Sequence, residues 1–141
     1  MKTMLDLVAY VDGGSHGNPG PSAIGIVIVD AAAAEQKITI AKFIGHQDSN
    51  VAEYVALMEA LQYANECKAR ALHVFSDSQV VVRQMTGQYA CQSPRLYSLN
   101  WTCRKLARNL NFSIAHVPRE HNREAHGLAK AAVRGRHRNS K

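Results

Sequence analysis

Short runs rich in apolar residues, separated by polar and turn-forming residues, occupy the first third of the chain, a pattern typical of β-strands. Residues 5–11 are apolar on both faces, which predicts a strand buried on both sides and ending at Asp12. A cluster of Gly, Ser, Asn and Pro at residues 13–21 predicts a turn. Two more strands are predicted at residues 23–29 and 37–45, so the chain opens with three antiparallel strands.

In the middle of the chain, apolar residues recur at a spacing of three and four residues, which predicts a helix over residues 50–67. We expect Asn50 to cap this helix, with Glu53 completing a capping box. The remaining pattern predicts a strand, two helices, a strand and a last helix capped by Asn122, at residues 71–76, 79–85, 94–109, 111–117 and 123–133.

Three strands followed by alternating helices and strands predict an α/β fold with a mixed sheet and helices on both faces. The length of 141 residues suits one domain. We place this domain at residues 1–133 and expect the basic segment 134–141 to be a disordered tail. No stretch has the length and apolarity of a signal peptide or a membrane span.

The net charge of +6 is unevenly distributed. Residues 1–94 hold six Lys and Arg against nine Asp and Glu, whereas residues 95–141 hold eleven against two. A basic half beside an acidic half suits a polyanion that is bound together with a cation, although a solvated basic surface without a partner has the same composition. Three cysteines without a Cys-x-x-Cys spacing predict reduced thiols and a cytoplasmic protein.

Three carboxylates, Asp12, Glu53 and Asp77, each lie at the edge of a predicted strand or helix. Each has a structural explanation by itself, since Asp12 precedes a turn, Glu53 fits a capping box and Asp77 precedes a helix. Together they predict a cluster at one edge of the sheet, and clustered carboxylates repel one another unless a cation lies among them. A hard divalent cation with oxygen ligands is the usual solution.

Four segments of the chain together resemble the type 1 ribonuclease H family, most of all its compact bacterial and archaeal members. They read, in order, Asp12-Gly-Gly-Ser-His-Gly-Asn-Pro-Gly-Pro, Ala52-Glu-Tyr, Ser76-Asp-Ser-Gln-Val-Val-Val-Arg-Gln and Val117-Pro-Arg-Glu-His-Asn-Arg-Glu-Ala-His-Gly-Leu-Ala. The resemblance runs from about residue 7 to residue 132. It implies a five-stranded mixed sheet and an endonuclease that hydrolyses the RNA strand of RNA–DNA hybrids.

The resemblance also implies two divalent cations, Mg²⁺ or Mn²⁺. Asp12 would bridge both ions, and Glu53 and Asp77 would hold the ion on the leaving-group side. Two cations about 4 Å apart clamp a scissile phosphate, one activating water and the other holding the leaving oxygen.

The chain departs from the family at one catalytic position, because His126 stands where the pattern has a fourth Asp. A neutral imidazole still offers a lone pair and suits Mn²⁺ better than Mg²⁺. Three hypotheses follow: a working ligand with a shifted metal preference, a poor ligand with slow turnover, or a protein that binds nucleic acid without cleaving it. The family often has a catalytic histidine before the last helix, a role for which His121 is our candidate and Glu120 its rival.

Hybrid recognition requires side chains that read 2′-hydroxyls in a minor groove. Small residues and short amides suit this task and match the family's substrate-contacting positions, namely Gly13, Gly14, Ser15, Asn18, Asn50 and Gln79. The chain has no room for the basic loop of larger members, so we assign phosphate contacts to Arg95, Arg104, Lys105, Arg108 and the tail. For Tyr97 and Trp101, four residues apart, we predict packing in the core, with stacking on a sugar of the substrate as the alternative.

We therefore predict a cytoplasmic, monomeric ribonuclease H with an RNA–DNA hybrid as its partner and no contact with a membrane. A non-catalytic protein that binds hybrids or duplexes is the alternative from another class. A nuclease for another phosphodiester, such as a junction resolvase, is the third hypothesis, and Asn50 and Gln79 weigh against it because they suit an RNA minor groove.

Overall fold

A computed structural model describes residues 5–91 and 93–139 of the chain. Its strands are β1 (Asp6–Ser15), β2 (Gly20–Asp30), β3 (Ala33–Gln47), β4 (Ala71–Ser76) and β5 (Asn111–His116). Its helices are α1 (Ser49–Glu66), α2 (Gln79–Met85), α3 (Pro94–Ala107) and α4 (Arg123–Asn139), with a short 3₁₀ turn at Arg119–His121 before α4.

The five strands form one sheet in the order β3-β2-β1-β4-β5. β1 pairs antiparallel with β2, and β2 pairs antiparallel with β3. β4 pairs parallel with β1 and with β5, through crossovers that contain helices. The predicted mixed sheet is confirmed. Within the described ranges, no helix is long and apolar enough to cross a membrane.

Two glycines let helices approach the two faces of the sheet closely. A Cβ atom on Gly13 would overlap the backbone of Ala52 in α1, and one on Gly25 would overlap the carbonyl of Ala125 in α4. Gly13 and Gly25 lie on the paired strands β1 and β2, in adjacent pairs of the register, so they face opposite sides of the sheet. α1 therefore covers one face and α4 the other.

A buried polar network joins the three helices on the α1 side. The Tyr54 hydroxyl, which is fully buried, donates to Oε1 of Gln84 in α2 at 2.7 Å and accepts from Nδ2 of Asn100 in α3 at 3.0 Å. Arg104 donates from Nε to Asn100 Oδ1 at 2.8 Å and from a terminal nitrogen to the Gln84 carbonyl. This network fixes α2 and α3 against α1, the helix that bears Glu53.

The start of α1 differs from the prediction. Asp48, not Asn50, is the N-cap, and its side chain accepts a hydrogen bond from the Val51 N–H at 2.9 Å. Asn50 lies inside the first turn, so Glu53 does not complete a capping box. Aspartate and asparagine are about equal as N-caps, and sequence alone does not separate two candidates so close together.

Other boundaries are longer than predicted. β2 and β3 extend almost to their shared turn, leaving residues 31 and 32 outside the strands. α4 ends at Asn139, whereas the sequence predicted an end near Val133 and a disordered tail after it. Residues 134–139 are therefore helical. Ser140 and Lys141 lie outside the described residues.

Asn122 precedes α4 as predicted, but its side chain does not cap the helix. Its Nδ2 donates to the Val11 carbonyl at 2.9 Å, and its backbone carbonyl accepts from the His126 N–H at 3.1 Å. The buried Asn122 side chain thus ties the start of α4 to β1, one residue before Asp12.

We predict that Gly25→Ala destabilises the protein by about 1–3 kcal/mol, because the added methyl group overlaps the backbone of α4 rather than a flexible side chain. Gly14→Ala is the matched control, since a Cβ atom there meets nothing within 4 Å. Urea denaturation of both variants measures the difference. Equal midpoints for the two variants would contradict the close approach of α4 to β2.

Candidate active site

Asp12, Glu53 and Asp77 converge at one edge of the sheet. Each offers a carboxylate oxygen, and the three oxygens lie within 4.8 Å of one another. The strand register explains half of this geometry, because Val11 pairs with Ser76 in the parallel ladder and Asp12 and Asp77 directly follow that pair. The carboxyl ends of adjacent parallel strands meet at one sheet edge, where α/β folds commonly bind ligands.

Glu53 reaches the same edge from α1. The Gly13 N–H donates to Glu53 Oε1 at 2.9 Å, next to Asp12. This bond depends on the close contact between α1 and β1 that the absence of a side chain at Gly13 permits. Gly13, which the sequence assigned to a turn, lies inside β1 and brings a helix carboxylate against a strand carboxylate.

Burial and mutual repulsion make these acids hard to ionise. Burial raises the pKa of Asp12 to about 6, and the negative charge of Asp77 adds to the rise, while His126 lowers it. Burial also raises the pKa of Glu53 well above its ordinary value, with the charges of Asp12 and Asp77 adding to the effect. The ionised cluster therefore needs a positive charge close to its oxygens.

Asp77 has an unsatisfied oxygen in this cluster. Its side chain is 5% exposed, and within the described part of the chain Oδ2 has no hydrogen-bond partner. Nε of Arg119 lies 3.7 Å from Oδ2, which is too long for a hydrogen bond but gives a weak ion pair. A buried carboxylate oxygen without a donor costs free energy, and a divalent cation bound by the three acids would satisfy it. The residues present thus fit a metal centre.

His126 lies beside only one of the three acids. Its Nδ1 is 3.0 Å from Asp12 Oδ2, and it is not part of the group of oxygens that Asp12 forms with Glu53 and Asp77. An ionised carboxylate only accepts, so Nδ1 is the donor, and a neutral ring keeps its lone pair on Nε2. Asp12 is therefore held between the other two acids and His126.

The loop before α4 is arranged differently from the expectation. His121, the predicted proton-transfer residue, is exposed and lines a separate cavity with Lys37 and Glu124. Arg119, which sequence reasoning did not single out, is the loop residue whose charge reaches Asp77 and also lowers the pKa of Glu53. The sequence shows Arg119 as the first Lys or Arg after the last strand. The direction of its side chain, however, depends on the 3₁₀ turn that begins at this residue.

The predicted substrate-contacting residues lie around the acids on several elements. Gly13, Gly14 and Ser15 end β1, while Gln79 begins α2. Asn18 lies in the β1–β2 loop, where its Oδ1 accepts from the Ser49 N–H at 3.0 Å and so fixes the loop to the start of α1. Asn50 lies in that first turn of α1.

The basic and aromatic residues of α3 differ in their availability. Arg104 is engaged in the buried network described above, and Arg95 donates to Gln47 Oε1 at 2.7 Å. The prediction that Tyr97 and Trp101 pack in the core is wrong, since they are 61% and 50% exposed. Lys105 lies over the Trp101 ring with Nζ 5.2 Å from its centroid. Leu96, Leu99 and Leu106 pack inward instead.

Comparisons with known proteins agree with this architecture. The family model described as reverse transcriptase-like matches residues 10–132. The Ribonuclease HI of Halobacterium salinarum is 39% identical over 129 residues, which is 89% of this chain and 63% of that protein. The chain thus spans less than two thirds of the length of this relative.

Two solved structures are similar over nearly their whole length. The crystal structure of RNase H1 from Halobacterium salinarum has a TM-score of 0.87 at 36% identity, covering 92% of this chain and 98% of that one. The crystal structure of LC11-RNase H1 in complex with an RNA/DNA hybrid has a TM-score of 0.85 at 31% identity, with the same coverage of both chains. The chain therefore belongs to the reverse transcriptase-like family and has the fold of its type 1 ribonuclease H members.

Proposed function

We propose that the protein is an endoribonuclease that hydrolyses the RNA strand of RNA–DNA hybrids with the help of divalent cations. The observation that supports this most directly is the convergence of Asp12, Glu53 and Asp77 within 4.8 Å on a ribonuclease H fold. The similar LC11-RNase H1 binds an RNA/DNA hybrid in its crystal structure. We extend that substrate class to this chain.

The three acids would hold Mg²⁺ or Mn²⁺, and we propose two ions per site. When bound, such ions neutralise the phosphate and lower the pKa of a water nucleophile. Asp12 is suited to contact both ions, because it belongs to the three-acid cluster and also bonds to His126. Glu53, held by the Gly13 N–H, and Asp77, with its unsatisfied oxygen, are suited to the ion on the leaving-group side.

His126 is proposed as a ligand on the other side of Asp12. Nδ1 lies 3.0 Å from Asp12 Oδ2, so it is the ring nitrogen close enough to share an ion with Asp12. Binding there would replace this hydrogen bond, with the ring proton on Nε2 and the Nδ1 lone pair directed at the cation. Because imidazole carries no negative charge and suits later transition metals, we propose that Mn²⁺ supports activity better than Mg²⁺.

Loop residues complete the proposed site. Arg119 is placed to contact the phosphate once a cation has taken over its interaction with Asp77. His121 keeps a candidate role in proton transfer only if the loop rearranges, because it lines a different cavity. The proposed readers of the hybrid are the residues around the acids, namely Gly13, Gly14, Ser15, Asn18, Asn50 and Gln79.

A protein that binds hybrids without cleaving them is the second candidate, and the replacement of the fourth acid by His126 is what favours it. It shares every binding feature with the first and differs only in turnover. A monomeric state and a cytoplasmic location stay predictions.

We predict that the protein cleaves the RNA strand of a labelled hybrid in Mn²⁺ and not in EDTA. Asp77→Asn should lower the rate about 100-fold or more, because the variant loses one charge at the centre of the cluster. Glu35→Gln is the matched control. This exposed acid lies at the start of β3, beside the β2–β3 turn, so the variant should keep full activity. Salt-sensitive binding without cleavage in Mg²⁺, Mn²⁺ or Co²⁺ would support the non-catalytic candidate instead.

We predict that His126→Asp raises the Mg²⁺-dependent rate by about tenfold, equivalent to roughly 1.4 kcal/mol of barrier, because it restores a hard, charged oxygen ligand. The ratio of rates in Mn²⁺ and Mg²⁺ is the measurement, with the exposed His46→Asp as control for added charge. A wild-type protein without metal preference, together with no gain in the variant, would mean that His126 is not a ligand.

A further inference from the structure

A cavity of about 440 Å³ lies next to Asp12, between α4 and the end of β1. This volume falls within the range of ligand-binding pockets, about 300–1,000 Å³. On the β1 side the cavity is lined by Asp12, Gly14, Ser15 and His16. The cavity therefore begins at the candidate metal centre and extends away from Glu53 and Asp77, which do not line it.

One continuous face of α4 forms the opposite wall. It is made of His126, Ala129, Lys130, Val133 and Arg134, at the three- and four-residue spacing that places side chains on one side of a helix. Lys130 and Arg134 are exposed, whereas Ala129 is buried. Two cations thus project along the cavity above a small apolar floor.

These cations have no acidic partner among the residues described. Among the described residues, Glu124 of α4 pairs with Lys37 at 2.9 Å. This pair lies on a different face of the helix, the face that lines the separate cavity with His121. The one acid that lines the Asp12 cavity is Asp12 itself, which already bonds to His126. No neighbouring carboxylate of the described ranges neutralises these two cations, so the electrostatic potential in the cavity is positive. The cavity therefore attracts anions.

We propose that this cavity is a phosphate subsite for the RNA strand of the hybrid, contacted by Lys130 and Arg134 beyond the scissile phosphate. The inference rests on the proposed function, since it takes the phosphate at Asp12 as its starting point. From His126 to Arg134 the helix rises about 12 Å, at 1.5 Å per residue. That distance corresponds to three or four nucleotide steps of about 3.4 Å, so Lys130 and Arg134 can each reach a different phosphate beyond the scissile one.

The strand assignment follows from continuity. The scissile phosphate faces Asp12 and belongs to the RNA strand, and the cavity begins at Asp12 without an intervening wall. Of the proposed hybrid readers, Asn50 and Gln79 lie on α1 and α2 and do not line this cavity, whereas Gly14 and Ser15 do. The sequence placed Arg134 in a disordered tail, so this face became visible only with the extended helix.

The test is hybrid binding by Asp77→Asn protein, with and without Lys130→Ala and Arg134→Ala. Alanine favours helix, so the exposed substitutions keep α4 intact, and Lys130→Gln with Arg134→Gln provides a second pair. Removing both cations should weaken binding at least tenfold and reduce the slope of log affinity against log salt by about 2, or about 1 for each phosphate contact. Arg123→Ala, an exposed cation of the same helix that does not line the cavity, is the matched control.

Hybrids with single neutral methylphosphonates identify the strand. We expect a methylphosphonate at one or two RNA-strand positions near the cleavage site to weaken binding by the Asp77→Asn protein. The same substitutions should not further weaken binding by the protein that also lacks Lys130 and Arg134. Unchanged affinity and salt slope in both double variants, or coupling confined to DNA-strand positions, would overturn the subsite and leave the proposed function intact. Absence of hybrid binding by the reference protein would overturn both.

Discussion

Repulsion among three buried carboxylates is the constraint on which the site depends. The chain gains nothing in stability by holding Asp12, Glu53 and Asp77 within 4.8 Å, since burial raises the pKa of the first two and leaves an oxygen of the third without a donor. Three features of the fold hold the acids in place. Gly13 lets α1 touch β1, Asn122 ties α4 to β1, and the Tyr54 network fixes the helices around α1. Buried acids with raised pKa values at one sheet edge are typical of a functional site.

The sheet and the identity of the acids were predictable because they rest on local signals. The short apolar run at residues 5–11 is typical of a strand buried on both faces, and the spacing of apolar residues in α1 indicates which face of that helix is buried. The acids were predictable because each lies near the edge of a predicted strand or helix. The convergence of Asp12 and Asp77 follows from the rule that neighbouring parallel strands end at the same edge, whereas the approach of Glu53 depends on the contact of α1 with Gly13.

Features that depend on direction were not predictable. Asp48 and Asn50 are both good caps, and tertiary packing selected the first. His121 and Arg119 lie two residues apart in one short turn, and only the path of that turn decides which of them approaches Asp77. Tyr97 and Trp101 have the spacing of a buried pair but project outward, because the inward positions of α3 are filled by leucines.

The replacement of an acid by His126 changes the balance of charge across the site. Negative charge is confined to the Glu53 and Asp77 side of Asp12, whereas the α4 side presents His126, Lys130 and Arg134. The Glu53 and Asp77 side of Asp12 thus favours a hard cation, whereas the α4 side combines the proposed metal ligand His126 with two cations suited to a phosphate. The acidic part of the sequence before residue 95 supplies the three carboxylates, and the basic part after it supplies the cations of α4. The two parts meet at Asp12.

Unfolding of wild type and Glu53→Gln with and without Mg²⁺ tests the repulsion most directly. In EDTA at pH 7 the variant should be more stable by about 1 kcal/mol, because burial and the charges of Asp12 and Asp77 oppose ionisation of Glu53 and a neutral amide is never charged. Asp12 has a folded pKa of about 6, above its unfolded value of about 3.9, so its contribution to stability is complete below pH 4 and is lost as pH rises through 6. Mg²⁺ should stabilise the wild type near pH 7 and have little effect on the variant. A variant less stable than the wild type in EDTA, or equally stabilised by Mg²⁺, would contradict a cation site held together by these three acids.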